Sequence, residues 1–125
     1  MARIATVSAD GMPHLVPIVF ALDGDVLYSA VDAKPKSSPM LQRLRNIEAN
    51  PRVAVLVDEY DEEWQRLWWV RADGTAQILE TGRQREHAIE LLRTKYPQYA
   101  DLPDAFGAVV VVTLDRWRGW SFDKG

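Results

Sequence analysis

The sequence predicts an α+β domain, mainly antiparallel β, whose strands wrap into a barrel and are interrupted by two short helices. Three observations predict it. Asp-Gly occurs three times, as Asp10-Gly11, Asp23-Gly24 and Asp73-Gly74, each between β-rich runs. This dipeptide accommodates the positive φ angles of tight hairpins. Only two stretches carry helical spacing: Met40, Leu44 and Ile47 in one, and Ala88, Leu91 and Leu92 in the other. The remaining apolar runs are short and rich in valine, as strands are.

In chain order, Arg3–Ser8, His14–Leu22 and Asp25–Val31 read as a three-stranded meander turning at the first two Asp-Gly pairs. Pro17 lies inside the second run; a proline cannot donate to a ladder, so it marks an edge or a bulge. A helix follows over Pro39–Ala49, with Ser38 as its cap, Pro39 at its first position and Asn50-Pro51 ending it. Val53–Glu59 is a strand whose Val-Ala-Val-Leu-Val core suggests burial on both faces. Tyr60–Gln65 reads as a loop. Leu67–Ala72 and Thr75–Leu79 form a hairpin around Asp73-Gly74. Thr81-Gly82-Arg83-Gln84 is similar to a capping box for a second helix, Gln84–Lys95, which Tyr96-Pro97 ends. Pro97–Phe106 reads as a loop, and Ala108–Leu114 supplies the last long strand.

The 125 residues fit a single domain over the whole chain. Net charge is −3, from 15 basic and 18 acidic residues, so the chain lacks the cationic excess of a bulk nucleic-acid binder. A small cationic pocket remains compatible with that balance. Without cysteine there is no disulfide or thiolate metal site, and the plain expectation is a cytoplasmic protein. No apolar run reaches the length of a membrane span, and the N-terminus has no signal-peptide pattern. Strand-like sequence starts two residues after Met1, so either the protein is compact from its first residue or an upstream segment is absent.

The chain has no cysteine nucleophile, Gly-rich phosphate loop or metal-ligand cluster. The sequence therefore names no catalytic residue and no metal site, and hard chemistry would fall to a cofactor. His87 falls on a polar helix face, where solvation is the plain expectation; His14 opens a strand and reads as an edge-strand residue. The run Asp61, Glu62, Glu63 reads as a solvated loop. The most informative stretch is Tyr28-Ser29-Ala30-Val31-Asp32-Ala33-Lys34-Pro35-Lys36-Ser37-Ser38. A buried strand leads into two lysines, two hydroxyls and a helix start, which are the parts of an anion site; an ordinary basic loop has the same composition. A bulge at Pro17 beside such a site could admit a flat ring against the backbone, or it could simply bend the barrel. Of the five tryptophans, Trp68 and Trp69 are adjacent on a strand and face opposite sides, one toward the core and one toward a partner or a ring.

These pieces occur in a familiar order: Ala5-Thr6-Val7, Asp10-Gly11-x-Pro13, Pro17-Ile18-Val19-Phe20, Tyr28-Ser29, Lys34-x-Lys36, and Asn46-Ile47-x-x-Asn50-Pro51-Arg52-Val53-Ala54. The chain thereby resembles the pyridoxamine 5′-phosphate oxidase-like superfamily of split β-barrel flavoproteins. The match is most specific up to about Val57. Further on, Trp68-Trp69-Val70-Arg71-Ala72-Asp73-Gly74 and Trp117-Arg118-Gly119-Trp120 look similar to an actinobacterial branch that uses the deazaflavin coenzyme F420.

The resemblance implies a homodimer with two cofactors in clefts between subunits. It places Lys34 and Lys36, with Ser37 beside them, at the cofactor phosphate. It places Tyr28, Ser29 and Ala30 on the strand lining the cleft, and Pro17, Ile18 and Val19 along the tricyclic ring. It also implies a helix before the first strand, which this chain lacks. Two departures separate it from the true oxidases. Val16 stands near a position where those carry arginine, and their C-terminal arginine and histidine pattern is not evident. The resulting expectation is an F420-dependent oxidoreductase passing hydride to a small substrate. The alternatives are an FMN-binding oxidoreductase of the same fold, or a flavin or haem carrier for which His14 is the one plausible iron ligand.

Overall fold

The structure is a computed structural model that describes residues 1–32, 40–101 and 106–122. Its strands are β1 (Ala2–Val7), β2 (Pro13–Ile18), β3 (Ala21–Asp23), β4 (Val26–Asp32), β5 (Arg52–Glu59), β6 (Trp68–Leu79) and β7 (Phe106–Ser121). Helix α1 (Met40–Ala49) lies between β4 and β5, and α2 (Arg83–Lys95) between β6 and β7. The strands form one seven-stranded sheet in the order β2-β1-β5-β6-β7-β4-β3, every neighbouring pair antiparallel. The sheet is not closed: β2 and β3 are its edges. This is the mainly antiparallel α+β, split-barrel architecture expected from the sequence.

Alternation along the strands builds two apolar layers. Ile4, Ile18, Leu27, Val31, Val55 and Val112 meet in the concave interior, where Ile47 of α1 joins them. On the other face of β4 and β7, Tyr28, Val109 and Val111 pack against Ala88 and Ile89 of α2. Helix α1 is seated by polar contacts as well as by Ile47 and Leu44. Asn46 is buried; its Nδ2 donates to Thr6 Oγ1 at 3.0 Å, and its Oδ1 accepts from Gln42 Nε2 at 2.8 Å. A buried amide satisfied in this way fixes the helix in rotation as well as position.

Four expectations are corrected. The expected meander breaks at Val19-Phe20: β2 stays on β1, while β3 pairs with β4 at the far edge of the sheet. The reason is visible at Phe20. Its N–H donates to Tyr96 Oη at 3.2 Å, and its carbonyl accepts from Tyr96 Oη at 3.1 Å and from Lys95 Nζ at 2.6 Å. Side chains at the end of α2 thus satisfy a peptide that a ladder would otherwise claim.

The expected hairpin at Asp73-Gly74 is instead one continuous strand, β6, with a register shift against β7 at that pair. Gly74 does not have positive φ, whereas Gly11 and Gly24 do, at 85° and 60° in the other two Asp-Gly turns. The Thr81–Gln84 capping box does not form: Gly82 at φ 105° precedes the helix, and Gln84 Nε2 donates to Tyr28 Oη at 3.4 Å instead. Finally, β5 is buried on one face only. Val53 and Val55 are covered, but Ala54 and Leu56 on the outer face are half-buried.

At the far end of β5, Arg52 donates to both oxygens of Asp115, at 2.6 and 3.2 Å. The hydrogen bond from Arg52 holds the Asp115 carboxyl below its ordinary pKa. A lowered folded pKa gives stabilisation present above the unfolded value and lost as pH falls through the folded one. Both side chains are about half exposed, so solvent screens the pair. Asp115→Asn should therefore leave the melting temperature nearly unchanged at neutral pH, and should flatten the acid limb of a melting-temperature profile below the ordinary carboxylate range.

Candidate functional site

Where β2 leaves the sheet, a cavity of about 310 Å³ opens between Pro17, Ile18 and Val19, Ala30 of β4, Arg43 of α1, Met1 and Tyr99. Each wall has a local cause. Pro17 lies on an edge strand, opposite Arg3, so its missing N–H costs β1 no ladder bond that a central strand would need. Ile18 turns inward and is buried. Val19 lies just beyond the last paired residue, held in place through Phe20 by Tyr96 and Lys95. Ala30 faces the α2 side with Leu92, its small side chain leaving room beside it. Tyr99 belongs to a short 3₁₀ turn, Pro97–Asp101, and stacks at 4.6 Å on Phe106.

Arg43 is the residue that sequence reasoning missed. It is 2% exposed, and among the described lining side chains it carries the one formal charge. Burying a guanidinium is costly unless hydrogen bonds or anions meet it. The signal was present: Arg43, Asn46 and Ile47 sit three and four apart, on one helix face, and all three are buried. Their mixed polarity concealed that face behind the apolar spacing of Met40, Leu44 and Ile47.

The structure thus brings Pro17, Ile18, Val19 and Ala30 to one cavity. Two other expected residues do not reach it. Tyr28 shares the face of Ala30 but lies further along β4, packed in the α2 layer with His87 edge-on at 5.9 Å. Ser29 faces the other side of β4, and its buried Oγ has no hydrogen-bond partner among the described residues. Lys34, Lys36 and Ser37 lie outside the described residues, in the stretch joining the end of β4 to the start of α1.

The histidines stay apart. His87 Nε2 is 2.8 Å from Asp23 Oδ2 on the surface. His14 pairs with Thr6 across β1 and β2, with Nδ1 buried. Among the described residues no cluster of His, Asp and Glu could hold a metal ion. No described helix is long and apolar enough to cross a membrane. Asp61 serves its own loop, its Oδ1 accepting the Glu63 N–H at 2.8 Å.

A second hollow, about 470 Å³, lies at the Glu59–Trp68 end of β5, β6 and β7. Trp69, Trp120, Tyr60 and Leu56 wall it, with Asp58 and Arg71 at its rim. Trp68 and Trp69 both line this hollow, and Trp68 Nε1 donates to Glu59 Oε2 at 3.0 Å.

Chemically, the first cavity offers apolar walls, exposed backbone beyond a strand end and one buried cation. That suits a flat ring with an anionic substituent. Among the described residues that line it, none forms an acid–base pair that could carry a reaction unaided.

Comparison with known proteins gives the same direction. Residues 1–121 match the pyridoxamine 5′-phosphate oxidase family. A 5a,11a-dehydrotetracycline/5a,11a-dehydrooxytetracycline reductase from Streptomyces rimosus is 37% identical over 97 residues, which is 73% of this chain and 66% of that enzyme. The match thus spans just under two thirds of the reductase. A solved structure described as an F420 reductase is 27% identical, with a TM-score of 0.64 over 94% of this chain and 87% of that one. The conserved hypothetical protein Rv2991 of Mycobacterium tuberculosis is 23% identical and shares the fold, with a TM-score of 0.74 over 96% of this chain and 76% of that one.

Proposed function

The chain belongs to the pyridoxamine 5′-phosphate oxidase family, and from that membership we propose that it is an F420-dependent reductase, acting as a homodimer on a small substrate. Its similarity to a reductase supports an oxidoreductase. The observation that carries the finer reading is the cavity itself: the Pro17–Val19 edge, Ala30 of β4 and the buried Arg43 of α1 converge on it, and β4 and α1 are the elements that flank Lys34 and Lys36 in the sequence.

When bound, the deazaflavin supplies hydride chemistry from its ring. The chain binds and orients it. Lys34, Lys36 and Ser37 would hold the phosphate, since two cations and a hydroxyl close before a helix in the sequence are the groups an anion calls for. The Pro17–Val19 edge would border the ring, and the buried Ile18 would help to keep water from it. Arg43 adds positive charge at the inner wall. Hydride transfer depends mainly on proximity and orientation, so a site without an acid–base pair is sufficient. Val16 packs against the interior cluster as an aliphatic residue, in keeping with a reductase rather than a pyridoxamine phosphate oxidase.

FMN also carries a tricyclic ring, a ribityl chain and a phosphate, so affinity separates the two readings. Titrating the protein with F420, FMN and FAD should give the tightest binding to F420. Tightest binding to FMN would transfer the reading to that cofactor, and binding to none would overturn it. Tight binding without turnover on any acceptor would indicate a carrier.

The dimer rests on the outer face of the sheet. Leu15 is 64% exposed, and Ala5, Ala54 and Leu56 on the same face are only half covered. Apolar surface of this kind on a sheet calls for a partner. We expect an interface above about 2,000 Å², as in obligate dimers. A stable monomer by light scattering at micromolar concentration would refute it.

A further inference from the structure

The wall of the candidate site at Val19 is not held by the sheet. Val19 and Phe20 lie between β2 and β3 and take part in no ladder among the described residues. The end of α2 fixes this link instead. We propose that Tyr96, backed by Lys95, is the positioning residue for the cofactor ring: acting through Phe20, it sets the Val19 wall that borders the ring, without touching the cofactor itself. The proposal rests on the cofactor reading above and adds a residue that reading does not use.

The grip on Phe20 supplies the first argument. Tyr96 Oη accepts from the Phe20 N–H at 3.2 Å and donates to the Phe20 carbonyl at 3.1 Å. One hydroxyl therefore satisfies both main-chain groups of a single residue, as a neighbouring strand would in a ladder. Lys95 Nζ donates to the same carbonyl at 2.6 Å and stands 3.6 Å from the centre of the Phe20 ring. A carbonyl has room for both donors, and the charged one, with its cation over an aromatic face, makes the stronger contact.

The anchor behind these groups supplies the second. Tyr96 follows directly on α2, and its N–H donates to the Leu92 carbonyl at 2.9 Å. Leu92 is fully buried, so the hydroxyl is carried on a packed helix end. Neither Tyr96 nor Lys95 is among the residues that line the cavity, and their effect on it is indirect.

The reach of Tyr96 supplies the third. Tyr99, which lines the cavity, donates its N–H to the Tyr96 carbonyl at 3.0 Å and meets the Tyr96 ring edge-on at 6.2 Å. The Tyr96 ring also packs in one cluster with Ala30, another lining residue. Tyr96 thus joins the Val19 wall to the Tyr99 and Ala30 walls. Removing only its hydroxyl keeps the ring packing and frees the Val19–Phe20 link. Apparent affinity then falls in proportion to the molecules whose wall is still in place.

The test uses whichever of F420 and FMN the parent binds more tightly. It reads the dissociation constant, the fluorescence anisotropy of the cofactor at saturation, and the melting temperature of the empty protein. Tyr96→Phe should weaken binding roughly tenfold and lower the anisotropy, because a ring beside an unfixed wall turns more freely. Lys95→Met should act in the same direction, and Lys95→Arg should restore most of the loss by supplying a charged donor to the same carbonyl. Ile89→Val is the control for stability. It trims the buried face of α2 that packs on Tyr28, Val109 and Val111, so it should melt below the parent yet match its affinity and anisotropy. Tyr96→Phe and Lys95→Met proteins that keep the parent's affinity overturn the proposal. A fall in affinity at unchanged anisotropy also overturns it, since the ring would then be held as before. So does a loss shared by Ile89→Val, which would belong to stability in general. If Tyr96→Phe does not fold, Lys95→Met and its arginine rescue decide the matter, because Lys95 is exposed. A parent that binds neither cofactor removes the earlier reading and this one with it; a parent that binds, with variants that bind equally, removes this one alone.

Discussion

Gly74→Ala should destabilise the protein by about 3 kcal/mol, the upper end of the overpacking range, and lower its melting temperature by roughly 10 °C. A Cβ at this position would run into the carbonyl oxygen of Thr113 and lie 2.8 Å from Val112 Cγ1. The first obstacle is backbone in the longest strand of the sheet, flanked by β4 and β6, so rotamer changes cannot relieve it. The register shift at Asp73/Gly74 brings β6 this close to β7, and only a residue without Cβ permits it. Gly119, further along β7, is the internal control. A Cβ there would meet Trp69 O at 3.6 Å and Val70 Cγ2 at 3.7 Å, ordinary contacts, so Gly119→Ala should melt close to the parent. Thermal melts of the two variants check this directly. Equal melting points would show that β6 and β7 do not approach as described.

Gly74 also shows why part of the fold was illegible in the sequence. Asp-Gly permits a turn but does not demand one, because close approach between strands calls for the same residue. Asp10-Gly11 and Asp23-Gly24 have the positive φ of the turn; Asp73-Gly74 has the bulge. Both helices were legible within a residue or so, because punctuation by Asn50-Pro51 and Tyr96-Pro97 is local. The strand crossing at Val19-Phe20 was not, because its cause is Tyr96 and Lys95, some 75 positions further along the chain. At the site, Pro17 marked an edge or a bulge, and the structure places it on an edge strand. The resemblance put Tyr28 and Ala30 together on a cleft-lining strand, yet Tyr28 packs against α2 and only Ala30 borders the cavity. Arg43 escaped because a buried cation is invisible to a pattern that equates burial with apolarity.

The largest functional effect should come from the two lysines. Replacing Lys34 and Lys36 together by alanine should weaken cofactor binding by roughly a hundredfold to ten-thousandfold. Each charged hydrogen bond lost costs about 1.5–3 kcal/mol, and each 1.4 kcal/mol is a factor of ten. Single variants should each show about the square root of that factor if the contacts are independent, and the double-mutant cycle measures any departure. Melting curves of the empty proteins should be nearly superimposable, since the change removes ligand contacts rather than core. Arg43→Met is the informative companion. Arg43 lines the cavity from the buried side, so its loss should weaken binding and also lower the melting temperature of the empty protein. If the double lysine variant stays folded and binds F420 and FMN as tightly as the parent, the Lys34-Pro35-Lys36 turn is only a solvated basic loop. Should Arg43→Met then abolish binding, the anion site would centre on the buried guanidinium. If it too binds normally, neither the turn nor the cavity holds the cofactor, and the reading built on them fails.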